Sequence, residues 1–560
     1  MGKTTKLLAL GALVGASALA GYLALTRPTG KRELVVIATG GIRARVRHCG
    51  CQGDVKTTLP NGMPRIVTCS CHGSPVMPKL DEPVELGGFP ERSAFLRAWK
   101  ARDPLVLDSG DLLFPGLAPE DFERAEWQRR AELLVELSQD LGVEAVAVGD
   151  LDLALGRGVL EGLAKKSRIA FLSANLRDAK THAPLFASRV CSVHGGVKVG
   201  VVGILAPPPS DAFAALLARE GLELGDAAQA ARAEVAQLKI EGCEVVILLG
   251  HAPDQTLRGI ARSAPGIDAV IGAHPDVPTD AKDEIEDGVA FTMPFPGGGA
   301  PLDLRFDVVA GAHGVEDTPT IQEATIWIQR LQGQLAKQRQ DGDAEEKIRA
   351  TEAEIRIREE RLSKEPRHGL TAKAVPLLAH LWKKGHDPAV LAAIDRYKDD
   401  VEKIALDPSI VSKLEAPAAL PSGVPTSFAT ETTCAACHKA QVETWTHSRH
   451  ARAWASLEKS GSEKDPECVR CHAIGFRQPG GFAEVRRARH DGLDYRNVQC
   501  EACHGPRSAH PANANVGVRI PTIQVCERCH DPERDPKFGE GKLAEALKGT
   551  NPICVRGLPR

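Results

Sequence analysis

Between about Glu33 and Val315 the chain alternates two patterns. Short apolar runs, "LVVIAT", "PLVLDSGD", "EAVAVGD", "IAFLSAN", "KVGVVGIL", "EVVILLGH" and "DAVIGAH", read as strands. Amphipathic stretches such as "EDFERAEWQRRAELLVELSQDLG" read as the helices between them. Regular alternation of the two predicts an α/β domain. The pattern then changes. The stretch "IWIQRLQGQLAKQRQDGDAEEKIRATEAEIRIREERL" is highly charged, lacks proline and repeats apolar residues every three to four positions. It predicts a long helix, or a helical hairpin turning at Asp341-Gly342-Asp343, and so a coiled-coil-like connector. Such an element serves as a solvated spacer or as a homo-oligomer contact. Proline-rich "EAPAALPSGVPTS" then leads into a cysteine-rich end.

At the amino terminus, Lys3 and Lys6 precede an apolar run from Leu7 to about Leu25, and Arg27, Lys31 and Arg32 follow it. The run is long enough to cross a bilayer. Ser17-Ala18-Leu19-Ala20 within it resembles a small-residue cleavage site. A cleaved signal and a retained membrane tether both fit, and each places the remainder in the periplasm or another extracytoplasmic compartment. The expected layout is 1–32 signal or anchor, 33–316 α/β domain, 317–427 helical connector and linker, and 428–560 a mainly α-helical terminal domain.

A length of 560 residues requires several cores. The net charge is -3, which gives no reason to expect a nucleic-acid partner. Cysteine usage changes the picture more. Eight of the 15 cysteines lie in four CxxCH motifs: Cys434 and Cys437 before His438, Cys468 and Cys471 before His472, Cys500 and Cys503 before His504, and Cys526 and Cys529 before His530. A covalent c-type haem needs two thiols for the porphyrin vinyl groups and an axial base beside the second, which CxxCH supplies. Four zinc half-sites would not explain a histidine after every second cysteine. Four haem c groups are expected.

The four methionines, Met1, Met63, Met77 and Met293, all lie outside this region. His/Met ligation is therefore excluded there, and the spare histidines His447, His450, His490 and His510 are candidate distal ligands. Bis-histidine irons sit at lower potential than His/Met ones. His447 and His450 are three apart in "ETWTHSRHARAW", and on one helix they would share a face. A histidine left on the surface instead would leave one iron open to a small ligand.

The segments "CAACH…WTHSRHARAW", "CVRCHAIGF" and "VQCEACHGPRSAH" resemble the tetrahaem cytochromes that accept electrons from hydroxylamine oxidoreductase. The resemblance covers about residues 428–535. It implies closely stacked haems, outer-sphere electron transfer and redox proteins as donor and acceptor. It maps distal ligands onto His510, in the CHGP-x-x-x-H segment, and onto His450.

In the α/β region Asp111, Asp150, His251 and His274 each follow a strand, where α/β proteins gather their sites. Carboxylates with imidazoles suit a divalent metal. The motifs "DSGDLLFPG", "VGDLDLALG", "LSANL", "LLGH" and "GAHPD" resemble, in order, the calcineurin-like metallophosphoesterases of the 5′-nucleotidase branch. The segment "GGFPERSAF" fits the same branch. That resemblance implies a metallophosphoesterase-like sandwich. The departures from it fall on chemistry. Gly41 and Arg43 stand where the family has the Asp and His of its first motif. Asp150 replaces an Asn, Leu151 the catalytic His, and Asp276 a further His. One metal site would be lost, and one could survive on Asp111, Asp150, His251 and His274.

Cys49, Cys51, Cys69 and Cys71 form disulfides or a metal site, with disulfides favoured by export. The expectation is an exported multihaem electron-transfer protein with a degenerate phosphoesterase-like domain. Two alternatives remain: an active metal-dependent phosphoesterase with auxiliary haems, and a haem reductase of a small nitrogen or sulfur compound.

Overall fold

The computed structural model describes residues 32–46, 67–68, 75–78, 83–85, 88–273, 284–294, 300–341, 344–364, 367–375, 377, 385–404, 406–419, 424–512, 525–526 and 528–529. The amino-terminal apolar run, the four CxC cysteines, His274, Asp276 and His530 lie outside these residues. Among the described residues no helix is long and apolar enough to cross a membrane.

Two sheets face each other in the front domain. The first orders its strands Val315–Asp317, His368–Ala374, Leu302–Val308, Arg32–Thr39, Leu105–Asp108, Val143–Ala147 and Ala170–Leu172. The second orders Glu284–Glu286, Val289–Thr292, Ala269–Gly272, Val245–His251, Val197–Leu205 and Arg189–His194. Period-two geometry explains why the central strands are apolar without a break. Leu34, Val36 and Ala38 point between the sheets, against Leu105, Leu107, Ile247 and Leu249. Val35 and Ile37 point the other way, onto Phe95 and Trp99 of the helix Phe89–Trp99. Burial on both faces needs apolar side chains at every position. On the outer face of the second sheet, Val246 and Leu248 pack on Val235 and Leu238 of the helix Ala227–Ile240.

The connector behaves differently from its expected role as a link. Helices Thr318–Asp341 and Glu345–Lys364 do form an antiparallel hairpin. Ile328, Leu331 and Ile355 pack between them, and Arg339 donates to Glu352 at 2.6 Å. The chain then returns as the strand His368–Ala374, which inserts between two strands of the first sheet. Helix Pro388–Lys403 follows and lays Val390, Ile394, Tyr397 and Val401 into the core of the helix Arg124–Asp140. Much of 317–427 therefore completes the front fold. Its strand, "HGLTAKA", carries too few apolar residues to announce itself as one.

The terminal region is built from short helices, Thr430–Ala435, Lys439–Thr446, Ala453–Ser460, Pro466–His472 and Cys500–His504. They surround a small core of Phe428, Trp454, Leu457, Val469, Phe476, Phe482 and Tyr495. This region docks on helix Arg124–Asp140 through buried charge. Arg477 donates to Glu126 at 2.8 Å, with 8% and 7% of the two side chains exposed. Arg130 donates to Asp465 at 2.8 Å and to the Tyr397 hydroxyl oxygen at 2.8 Å. Asp465 in turn caps helix Pro466–His472, accepting from the Glu467 amide at 3.0 Å.

Burial raises the Glu126 carboxyl pKa, and Arg477 opposes the rise. Arg477→Ala should therefore strand a buried charge and cost about 3–5 kcal/mol near neutral pH. A stranded carboxyl has a raised folded-state pKa, so acid protonates it and relieves the penalty. The deficit in denaturant unfolding should shrink as pH falls from 8 towards 5. A deficit that is constant over that range would mean that Glu126 is not the group responsible.

Candidate functional site

In the front domain the site forms where strand ends from the two sheets meet. Asp111 follows strand Leu105–Asp108, Asp150 follows Val143–Ala147, and His251 ends Val245–His251. Their ligand atoms all lie within 4.8 Å of one another. His251 Nε2 stands 3.0 Å from Asp150 Oδ1 and 3.4 Å from Asp111 Oδ2. The backbone is shaped to bring them together. Asp111 sits at φ 54, in the left-handed region that costs a non-glycine residue free energy. A Cβ on Gly149 would overlap Asp111 Oδ1 and the Asp111 amide, so only glycine lets the two loops close.

Asp152, inside the motif "VGDLDLALG" but given no role from the sequence, holds these loops. Its buried carboxylate accepts from the amides of Asp111 at 3.1 Å, Gly149 at 2.9 Å and Leu113 at 2.8 Å. The available signal was its place at the end of "VGDLD", two residues after Asp150.

Electrostatics follow from burial. Desolvation, helped by Asp150, pushes the Asp111 carboxyl up to about 6, against His251 and Arg43. Desolvation and then the Asp111 charge push Asp152 up to about 7. Burial alone would lower the His251 imidazole pKa, but Asp111, Asp150 and Asp152 outweigh it and raise it to about 9. Asp111 Oδ2 is buried and takes no hydrogen bond. An orphaned carboxylate oxygen beside an imidazole is the donor chemistry that a divalent cation satisfies. Arg43 occupies the adjoining space, its Nε 3.9 Å from Asp111 Oδ2. Leu151, beside Asp150, is buried.

In the terminal region three CxxCH motifs lie on or beside short helices. The Cys434 thiol meets that of Cys500, which together with burial raises its pKa. Glu501 ties the first and third motifs together by accepting from the amides of Ala429 at 3.0 Å, Thr430 at 2.8 Å and Arg507 at 2.7 Å. His472 Nδ1 donates to the Ala453 carbonyl at 2.7 Å, which fixes the tautomer whose Nε2 can bind iron. His490 Nδ1 makes the same kind of bond to the Arg487 carbonyl at 2.7 Å, with its ring stacked on Tyr495. The rings of His438 and His510 stand 6.4 Å apart, centre to centre, at 21°. His510 Nδ1 is buried without a hydrogen-bond partner. The fourth motif contributes Cys526 and Cys529, joined by a turn.

One expectation fails here. Helix Lys439–Thr446 stops before His447, and His450 opens a separate 3₁₀ turn, so the two histidines do not share one helix face. His447 is exposed and His450 half-buried. The Ser448 hydroxyl, which accepts from the Ala451 amide, supports the break.

Comparison with known proteins divides the chain the same way. The model of the family "Cytochrome c554 and c-prime" matches residues 433–505, which span the first three CxxCH motifs. Cytochrome c-554 of Nitrosomonas europaea is 37% identical over 89 residues, 13% of this chain and 36% of that protein. Snake venom 5′-nucleotidase of Gloydius brevicauda is 26% identical over 263 residues, 45% of this chain and 38% of that protein. The 5′-nucleotidase precursor of Thermus thermophilus superposes with TM-score 0.42 at 17% identity, over 69% of this chain and 61% of its own. The chain thus spans little more than a third of each of the two curated relatives. A cytochrome c554-like region at the carboxyl end is joined to a 5′-nucleotidase-like α/β domain in front.

A cation at Asp111, Asp150 and His251 must displace the protons held there, because metal binds neutral imidazole and ionised carboxylate. Its apparent affinity should therefore rise with pH between about 6, where Asp111 ionises, and about 9, where His251 loses its proton. Calorimetric titration with Mn²⁺ or Zn²⁺ in buffers of different ionisation heat should detect proton release. Binding heat that is the same in every buffer would rule this site out.

Proposed function

We propose that this protein is an exported multihaem cytochrome that passes electrons through four covalent haem c groups. In this reading the front domain no longer turns over phosphoesters. The observation that carries the first part is the set of CxxCH motifs, with imidazoles arranged beside them. Cys434/Cys437, Cys468/Cys471, Cys500/Cys503 and Cys526/Cys529 would bind the porphyrins, and His438, His472, His504 and His530 would be proximal ligands. Such groups supply reversible one-electron chemistry when bound. The protein's part is to fix the axial bases, order the stacking and limit solvent.

His510 is the best-supported distal base. Its ring lies beside that of His438, nearly parallel to it, and its Nδ1 is buried without a hydrogen-bond partner. The His438–His510 ring spacing of 6.4 Å supports the two imidazoles holding the same haem iron. His510 would therefore serve the first motif rather than its own, so one ligand also sets how two haems pack. His490, with Nδ1 committed to a carbonyl, is a second candidate. His450 is a third, and exposed His447 is the least favoured.

Export rests on the terminal apolar run and on haem attachment, which takes place outside the cytoplasm. Redox proteins would be donor and acceptor. For the front domain, Arg43 beside Asp111 places a fixed positive charge where a second cation would have to sit, and Leu151 has no proton to give a leaving group. A single cation on Asp111, Asp150 and His251 would lack both its partner and an acid.

Mass spectrometry of the denatured chain should find four haem additions. A haem-free, zinc-loaded chain would end the proposal. His510→Met should raise the potential of one haem, because thioether ligation favours ferrous iron. An unchanged redox titration would remove His510 from the ligand set. Nucleotides and nitrophenyl phosphate, assayed with added Mn²⁺ or Zn²⁺, should turn over far below the usual enzymatic rate of about one per second. Turnover at that rate would restore the hydrolase alternative.

A further inference from the structure

Three cysteines, Cys191, Cys243 and Cys554, belong to neither the CxxCH nor the CxC motifs, and the fold brings the first two together. Cys191 lies in Arg189–His194, the edge strand of the second sheet, and Cys243 follows helix Ala227–Ile240, just before strand Val245–His251. Their sulfurs are 2.9 Å apart across 52 positions of sequence. Non-bonded carbon atoms settle at about 3.5–4.0 Å, and sulfur is the larger atom. The approach is therefore closer than two thiols would choose. Among the described residues no third His, Cys, Asp or Glu ligand joins the pair, so a metal site is not the explanation.

The surroundings explain why the two side chains converge. Arg189 and Cys191 are two apart on a strand and so face the same side. On that side Arg189 pairs with Glu234 and with Glu241, the latter at 2.8 Å, at the end of the helix Ala227–Ile240. Gly200 stands opposite Cys191 on the neighbouring strand and puts no side chain between the sulfurs. Cys243 is buried, with its amide bonded to the Leu238 carbonyl. Edge strands are the weakly held part of a sheet. Here the ion pairs and the cysteine pair fasten one to the helix that covers it.

We propose that Cys191 and Cys243 form a disulfide in the mature protein. Its formation removes one hydrogen from each thiol. Two electrons and two protons pass by thiol–disulfide exchange to an oxidised protein dithiol of the export compartment, whose own disulfide is reduced to two thiols. The cross-link would close a long loop in the unfolded chain and so stabilise the front domain. It rests on the export proposed above but makes no use of haem, so it is tested separately from electron transfer.

The test uses the full chain, secreted and purified without reductant, blocked with N-ethylmaleimide in denaturant and digested with trypsin. A peptide joining "VCSVHGGVK" to "IEGCEVVILLGHAPDQTLR", two hydrogens lighter than their sum, is expected, and reduction should separate it. Maleimide on both Cys191 and Cys243 in that sample would overturn the proposal. Cys191→Ala should leave haem content unchanged and make Cys243 alkylatable. It should also lower the thermal midpoint of the front domain by about 5 °C. If Cys243 stays blocked in that variant, its partner is another cysteine and the assignment is wrong.

Discussion

A carboxylate withdrawn from water has to be met by donors or by a counter-charge, and this requirement organises both ends of the molecule. Asp152 satisfies it with three backbone amides, which locks together the loops that carry Asp111 and Asp150. Glu501 satisfies it with amides from Ala429, Thr430 and Arg507, which fixes the first CxxCH segment against the third. Glu126 satisfies it with Arg477, which joins the two regions. Each bond is worth little net, but each is costly to leave unmade. Loops that would otherwise be free are thereby held in one geometry.

The helix Arg124–Asp140 shows how one element serves two cores. One side, with Leu133, Leu134 and Leu137, packs into the front domain. Glu126 and Arg130 reach the cytochrome-like region instead. Arg130 contacts Asp465, the cap of the helix bearing Cys468, Cys471 and His472. In the reading proposed above, the α/β domain is then a buttress for a haem-bearing helix, whatever becomes of its own site. The sheets, and not Leu151, determine where the helix lies.

The cluster of Asp111, Asp150 and His251 shows how a fold gathers ligands that are distant in sequence. Asp111, Asp150 and His251 converge because strand ends of the two packed sheets meet there. A positive charge stands beside them. Arg43 comes from the loop after the first strand, whose amides bond to the Asp111 loop, so its guanidinium is carried to the site by backbone pairing.

Composition and spacing by themselves determined the CxxCH pattern, the α/β alternation and the residues at the strand ends. These are local properties: a CxxCH needs only five residues, and a buried strand declares itself through its own apolar run. The helices Thr318–Asp341 and Glu345–Lys364 were legible for the same reason, with one long helix and a hairpin both left open. Only the tertiary structure decided that His368–Ala374 joins the first sheet, because pairing with a distant strand leaves no trace in a short, mixed sequence. The same holds for the His438–His510 approach, the Cys191–Cys243 contact and the work of Asp152. It also holds for the break between His447 and His450, where a helical pattern continues past the point at which the backbone turns. Each depends on what lies opposite in space, and sequence spacing carries no information about residues brought together by a sheet or a domain contact.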